Sequence, residues 1–166
     1  MTNPLEIFDA TMTVFGAPGH YVQGPGVLDR IGGFARQLGD DAVLVGDALI
    51  LTLIGSRVAA SCQAAGVGLT VLPFAGKLGP GTAAALDAEL GAARPGIVIA
   101  AGGGRAIDAG KALADLRGLR LITVPTVASN DAPTSKNYVL YDDAGHLVDV
   151  RHLPRNPDFV VVDTVL

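Results

Sequence analysis

Short apolar runs alternate along the chain with longer stretches in which apolar residues recur at helical spacing. The runs at residues 42–45, 69–72, 97–100 and 121–124 are continuous, as is typical of strands that are buried on both faces of a parallel sheet. The intervening stretches predict helices at residues 27–38, 51–65, 81–92 and 106–116. This alternation predicts an α/β fold in which helices cover a parallel sheet.

The last third of the chain has a different pattern. Residues 138–141 and 146–150 flank a polar segment at residues 142–145, and this arrangement predicts a β-hairpin added to the sheet. A further apolar strand follows at residues 158–163. The chain therefore combines a parallel sheet with an antiparallel hairpin.

Composition and charge narrow the class of protein. Hydrophobic residues make up 49% of the 166 residues and charged residues 17%, which predicts one globular domain over residues 1–166. The net charge of −4 argues against nucleic acid or an anionic membrane as a partner. No apolar run approaches the roughly 20 residues that span a bilayer, and the first residues do not resemble a signal peptide. With Cys62 as the single cysteine, we expect a reducing, cytoplasmic location.

A glycine loop follows the strand at residues 97–100 and opens the next helix. Gly102, Gly103 and Gly104 would let the backbone turn sharply and approach a ligand without Cβ atoms in the way. The free N–H groups of the helix terminus suit a pyrophosphate, and Arg105 could add a direct positive charge. We therefore predict phosphate binding here, with an ordinary strand-to-helix turn as the alternative. In the same helix, Asp108 and Lys111 are predicted to fall outside the apolar side.

Two other loops carry candidate chemistry. Asp47 follows the strand at residues 42–45, where a carboxylate could accept both ribose hydroxyls and would repel a 2′-phosphate. A helix-capping aspartate is the alternative. The loop at residues 124–135 contains hydroxyls, an amide and a carboxylate between two prolines, so it could bind a ligand or form a polar turn. The histidines lack the spacing and carboxylate partners of zinc sites.

Four blocks in chain order resemble the iron-containing alcohol dehydrogenase and dehydroquinate synthase-like superfamily, in its glycerol dehydrogenase version. Residues 102–112 resemble the pattern GGG-x-x-x-D-x-x-K, and residues 128–135 are similar to the block that follows it. Residues 17–24 and 156–164 match as well. The resemblance covers nearly the whole chain and implies a Rossmann-like domain that binds NAD.

The resemblance implies a role for each matching residue. Asp47 would bind the adenosine ribose, and Asp131 would hydrogen-bond the substrate. The residues around the pyrophosphate and its helix would be Gly103, Gly104, Arg105 and Asp108. The nucleotide and nicotinamide side would be lined by Thr126, Ser129, Ser135, Asn137 and Tyr141. Asn130 and the segment at residues 136–138 depart from the glycerol dehydrogenase pattern near the substrate, which leaves open whether the substrate is glycerol.

The implied reaction is NAD-dependent oxidation of a vicinal diol or small alcohol to a ketone, in a homo-oligomer that uses zinc or iron. The family's metal ligands, one aspartate and two histidines of a helical second domain, map onto no residue here. We therefore expect residues 1–166 to be an N-terminal NAD-binding domain without the helical metal domain, which binds nucleotide but is catalytically incomplete. The alternatives are a sister branch, glycerol-1-phosphate dehydrogenase or dehydroquinate synthase, and a non-catalytic nucleotide-binding or assembly module.

Overall fold

A computed structural model describes residues 15–128 and 131–166 of the chain. Its strands are β1 (His20–Gly24), β2 (Asp41–Gly46), β3 (Gly68–Pro73), β4 (Ile97–Gly102), β5 (Arg120–Pro125), β6 (Asn137–Tyr141), β7 (Leu147–His152) and β8 (Phe159–Asp163). Its helices are α1 (Ile31–Arg36), α2 (Ala48–Ala64), α3 (Thr82–Leu90) and α4 (Gly104–Arg117), and a 3-10 turn, Val27–Arg30, precedes α1. The predicted alternation of strands and helices is confirmed.

The main sheet is parallel and has the strand order β1-β8-β5-β4-β2-β3. Strands β2 and β4 are parallel neighbours, but the chain leaves them towards opposite edges of the sheet. From β2 it continues through α2 to β3, and from β4 it continues through α4 to β5. The strand order therefore reverses between β2 and β4. In open α/β sheets, such a reversal leaves a crevice for ligands at the carboxyl ends of the strands.

Helices cover both faces of this sheet, as the sequence predicts. Leu44 of β2 packs in one core cluster with Ile54 of α2. The next residue along the chain, Val45, belongs to the opposite cluster with Leu113 of α4. Alternate side chains of β2 thus enter opposite cores, which explains why the strand is a continuous apolar run. The Rossmann-like α/β prediction is confirmed.

Strand β3 departs from the prediction that residues 69–72 are buried on both faces. Leu72 is buried, but 47% of Val71 is exposed to solvent. The reason is position, since β3 is the last strand of the sheet and has β2 as a neighbour on one side alone. A strand at the edge of a sheet is covered less completely, so part of its apolar surface stays exposed to solvent.

The predicted hairpin is confirmed, and it covers more of α4 than the sequence indicates. Strands β6 and β7 pair antiparallel, with an irregularity between Leu140 and Tyr141. The hairpin packs on the outer side of α4, and every residue from 106 to 114 is buried. The prediction that Asp108 and Lys111 lie outside the apolar side of this helix is therefore wrong, because the hairpin buries the side that the sheet leaves open.

Two other features lie beyond the sequence prediction. Strand β1 pairs with β8 at the edge of the sheet, although its sequence is largely polar. The predicted helix at residues 27–38 is divided into the 3-10 turn and the short helix α1. Within the described part of the chain, no helix has both the length and the apolar character needed to cross a membrane.

Candidate functional site

The glycine loop leaves the beginning of α4 open. Gly102, the last residue of β4, has φ of +133°, and a Cβ atom added there would lie 3.0 Å from the Cβ of Ala106. A side chain at this position is therefore disfavoured by both conformation and space. Gly103 is different, because its φ of −79° suits any residue, and no heavy atom of the described residues other than its neighbours along the chain lies within 4 Å of an added Cβ.

The open space at Gly103 lies over unpaired backbone donors. Gly103 is the N-cap of α4, and no side chain of the described residues caps the helix there. The first N–H groups of a helix have no acceptor within the helix itself. Together with the positive end of the helix dipole, these groups make the beginning of α4 suitable for an anionic group.

Asp47 begins the neighbouring helix α2. Its Oδ1 accepts a hydrogen bond from the backbone N–H of Ile50 at 3.0 Å, so the helix-capping alternative is present. The second oxygen, Oδ2, lies beside the glycine loop, 3.6 Å from the position of an added Cβ at Gly102. The carboxylate thus caps α2 with one oxygen and turns the other towards the crevice between β2 and β4. Its contact with a ribose stays a prediction.

Thr126 lies on the other side of the glycine loop, directly after β5. Its backbone N–H donates to the carbonyl oxygen of Gly102 at 3.1 Å. Thr126 also lines a cleft of about 410 Å³ at the carboxyl ends of β5 and β8, together with Tyr21 and Val162. Asp47, the glycine loop and Thr126 therefore follow one another along the same edge of the sheet.

Arg105, near the beginning of α4, lies close to Tyr141 at the end of β6. The guanidinium carbon of Arg105 lies 5.6 Å from the centre of the Tyr141 ring, which is the distance of a cation–π contact. The backbone N–H of Tyr141 donates to Leu78 O at 2.9 Å. Arg105, Tyr141 and Lys77 line a cleft of about 740 Å³ between the hairpin and the beginning of α3.

The loop before β6 contains the remaining predicted residues. The carbonyl oxygen of Asp131 accepts hydrogen bonds from the N–H groups of Thr134 and Ser135 at 3.0 and 3.1 Å, which form a turn. The side chain of Asp131 is exposed, and it lines a cleft of about 400 Å³ with Ser135 and Asn137. This cleft shares Thr134 with the cleft that contains Thr126 and shares no residue with the cleft that contains Arg105. Ser129 and Asn130 lie outside the described residues.

Two side-chain donors from other parts of the chain, the buried Thr123 and the half-buried Asn156, hold this loop. Thr123 Oγ1 of β5 donates to Pro133 O at 2.7 Å, and Asn156 Nδ2 donates to Thr134 O at 3.1 Å. Both carbonyl groups belong to the turn that follows Asp131. The loop is therefore attached to the sheet through its backbone, which leaves the Asp131 carboxylate exposed.

Asp108 and Lys111 form a buried pair between α4 and the hairpin. Lys111 Nζ lies 3.3 Å from Asp108 Oδ1 and donates to Asn137 O at 2.5 Å. Asp108 Oδ2 accepts from the N–H of Val139 at 3.1 Å. Asp108 thus connects α4 to the hairpin, and its place around the pyrophosphate and its helix stays a prediction.

Burial acts in opposite directions on the two groups of this pair. It raises the pKa of the Asp108 carboxyl, an effect that the positive charge of Lys111 and the Val139 N–H partly offset. It lowers the pKa of the Lys111 amine, which the negative charge of Asp108 partly offsets. The sequence signal for this pair was its i, i+3 spacing, but the element that buries it lies more than 20 residues away.

Asp163 is a structural carboxylate that the sequence interpretation missed. It is buried at the end of β8, where Oδ1 accepts from the N–H of Gly26 at 2.9 Å and Oδ2 from Arg57 Nη2 at 3.0 Å. The N–H groups of Val165 and Leu28 donate to it as well. Burial would raise the pKa of Asp163, but these donors outweigh it and hold the pKa below its usual range. Apart from Val165, these partners lie more than 100 residues away in the sequence, so no local pattern could have indicated them.

The described residues do not provide a metal site. Across residues 15–128 and 131–166, no three His, Cys, Asp or Glu side chains are close enough together to hold a metal ion. His146 contacts Asp142, and His152 contacts Asn137, so both lie in the hairpin.

Comparison with known proteins relates this geometry to a family. The sequence profile for iron-containing alcohol dehydrogenase matches residues 18–164. A glycerol dehydrogenase of Escherichia coli O6:H1 is 35% identical over 151 residues, which are 91% of this chain and 41% of that protein. A glycolaldehyde reductase of Halobacterium salinarum is 38% identical over 152 residues, with 92% and 42% covered.

A solved structure shows the same fold. The crystal structure of a probable glycerol dehydrogenase from Sinorhizobium meliloti 1021 superimposes with a TM-score of 0.83 and 29% sequence identity. The match covers 92% of this chain and 41% of that one. This chain therefore spans about two fifths of the length of the proteins that it resembles.

Proposed function

Because this chain belongs to the iron-containing alcohol dehydrogenase family, we propose that residues 1–166 form its N-terminal NAD-binding domain. The observation that carries the proposal is the open beginning of α4 at Gly103, beside the free oxygen of Asp47. The two features lie at the strand reversal between β2 and β4, where α/β sheets bind nucleotides. NAD, when bound, supplies the acceptor for a hydride.

The residues at the reversal fit the parts of this cofactor. The uncapped N–H groups of α4 suit the pyrophosphate, and the space at Gly103 allows it to approach the backbone. Asp47 Oδ2 is free to accept a ribose hydroxyl while Oδ1 keeps its bond to Ile50. The same negative charge would repel a 2′-phosphate, so we propose NAD in preference to NADP.

The proposed substrate is a vicinal diol or small alcohol, oxidised to a ketone by the complete enzyme. The similar proteins named glycerol dehydrogenase and glycolaldehyde reductase support a small hydroxylated compound. The exposed carboxylate of Asp131 is suited to accept a hydrogen bond from a substrate hydroxyl. A zinc or iron ion supplies Lewis-acid chemistry when bound, but the described residues hold no ligand set for it, and we assign it no step.

A phosphate-bearing substrate, as in the glycerol-1-phosphate dehydrogenase branch, is the second candidate. Its support is Lys136, which lines the same cleft as Asp131. Among the described residues that line this cleft, no other Lys or Arg is present. Since phosphate recognition usually combines several donors, the polyol is the favoured proposal.

Isothermal titration calorimetry on the 166-residue chain tests the cofactor proposal. We expect NAD and ADP-ribose to bind, because both contain the pyrophosphate and the adenosine ribose. We expect NADP to bind more weakly, because the negative charge of Asp47 would repel its 2′-phosphate. Failure of both NAD and ADP-ribose to bind would overturn the proposed function. Equal or tighter binding of NADP would overturn the role of Asp47 alone.

A further inference from the structure

Lys111 is buried to an unusual degree for a lysine. Its relative exposure is 0%, and it is the largest of the fully buried side chains among the described residues. The amine lies between α4 and the loop before β6, with Asp108 as its counter-charge at 3.3 Å. Lysine is almost never fully buried unless it is paired, and Asp108 provides that pairing for Lys111.

Besides Asp108 of its own helix, Lys111 contacts two residues at the start of the hairpin. Nζ donates to the carbonyl oxygen of Asn137 at 2.5 Å and lies 3.5 Å from the hydroxyl oxygen of Ser135. Ser135 and Asn137 are both among the residues predicted to line the nucleotide and nicotinamide side of the cofactor, and the cleft that they line contains neither Asp47 nor the glycine loop. One buried amine therefore contacts two predicted cofactor residues while its own side chain stays out of the cleft that they line.

Attachment of the hairpin alone does not require this lysine. Tyr138 already fixes the hairpin to α4, since its hydroxyl donates to Asp115 Oδ2 at 2.6 Å and its ring is buried. A buried ion pair contributes little net stability, because desolvation of both charges offsets their attraction. What Lys111 adds beyond the Tyr138 contact is a fixed conformation of residues 135–137.

We propose that Lys111 is a positioning residue that holds Ser135 and Asn137 in place for the nicotinamide half of NAD. The proposal rests on the proposed function for the identity of the ligand. It distinguishes two halves of the cofactor site, because the pyrophosphate and adenosine half is formed by α4 and Asp47. A change at Lys111 should therefore affect NAD more than ADP-ribose, which lacks the nicotinamide.

The test compares Lys111→Met with Tyr138→Phe as a matched control. Lys111→Met removes the contacts with Asn137, Ser135 and Asp108, whereas Tyr138→Phe removes the contact between the hairpin and Asp115 of α4. Both variants keep most of the side-chain volume. Because Lys111→Met leaves Asp108 buried without its counter-charge, the double variant Asp108→Asn/Lys111→Met is included. Its asparagine can still accept from the Val139 N–H. Calorimetry gives the affinities for NAD and ADP-ribose, and hydrogen exchange gives the protection of the Ser135 amide.

We expect both Lys111 variants to lose at least about tenfold in NAD affinity, or about 1.4 kcal/mol, with little change for ADP-ribose. The Ser135 amide should exchange faster in both variants, whereas Tyr138→Phe should keep the NAD affinity and the Ser135 protection of the wild type. Unchanged NAD affinity and Ser135 protection in a folded double variant would overturn the proposal, as would an equal loss in Tyr138→Phe. If the wild type binds no NAD, the proposed function fails, and Ser135 protection alone decides whether Lys111 fixes the loop.

Discussion

The substitution Gly103→Val should weaken the binding of NAD without unfolding the domain. The backbone at Gly103 has φ of −79° and ψ of −179°, an extended conformation that β-branched residues prefer. An added Cβ meets no heavy atom within 4 Å. We therefore expect the variant to fold, with a loss of at most about 1 kcal/mol in the free energy of unfolding from the poorer N-cap. The valine would occupy the space over the first N–H groups of α4.

The size of the effect follows from the donors that the side chain covers. A hydrogen bond to a charged group contributes about 1.5–3 kcal/mol. If the valine keeps a pyrophosphate from two of the first-turn N–H groups, the loss is about 3 kcal/mol or more. Since 1.4 kcal/mol corresponds to a factor of ten, NAD affinity should fall by at least about a hundredfold.

Calorimetry with NAD, together with thermal unfolding, measures the two effects separately. The matched control is Gly102→Ala, in which φ of +133° and the Ala106 contact at 3.0 Å oppose any side chain. This control should lose about 1–3 kcal/mol of stability through backbone strain, whereas Gly103→Val should not. A folded Gly103→Val variant that binds NAD as tightly as the wild type would show that the beginning of α4 does not hold the pyrophosphate.

Two other predictions concern carboxylates that bind backbone N–H groups. Asp47→Asn should keep the cap on α2, because asparagine caps helices as well as aspartate, and should reduce the preference for NAD over NADP in competition titrations; an unchanged preference would exclude the charge as its source. The folded-state pKa of Asp163 lies below its usual value of 3.8, so its stabilisation is complete above that pH and is lost as the pH falls through the folded-state value. Asp163→Asn should therefore lower the free energy of unfolding at pH 7 by about 1–3 kcal/mol and less at pH 3, as denaturant titrations at both pH values would show, whereas an equal loss at both would contradict a role for the charge.

The sequence indicates the sheet well wherever the strand is buried on both faces. Strands β2, β4 and β5 are apolar runs because helices cover both of their faces. Strand β1 has no such run, since it lies at the edge of the sheet and pairs with β8 alone. A strand whose partner lies about 140 residues away in the sequence leaves no local pattern that distinguishes it from a loop.

The candidate site also has parts that depend on local sequence and parts that depend on distant segments. The glycine loop could be predicted because its requirements are local, namely a sharp turn after a strand and an uncapped helix. The position of Asp108 could not, because the α4 pattern alone does not show that a hairpin from residues 137–152 covers that side. The resemblance places Asp108 in a motif, but a motif does not say which way a side chain points.

The two ends of the proposed site should respond differently to amino-acid substitutions. At the proposed pyrophosphate end, the groups that we expect to bind the ligand are backbone N–H donors, which side-chain substitutions leave in place as long as Gly102 and Gly103 remain. At the other end, the loop after Asp131 depends on single side chains, Thr123, Asn156 and Lys111, that bind its carbonyl groups. Loss of one of them would alter the loop while the beginning of α4 stays intact. We therefore expect substitutions near Asp131 to change the proposed substrate preference while the proposed phosphate site is kept.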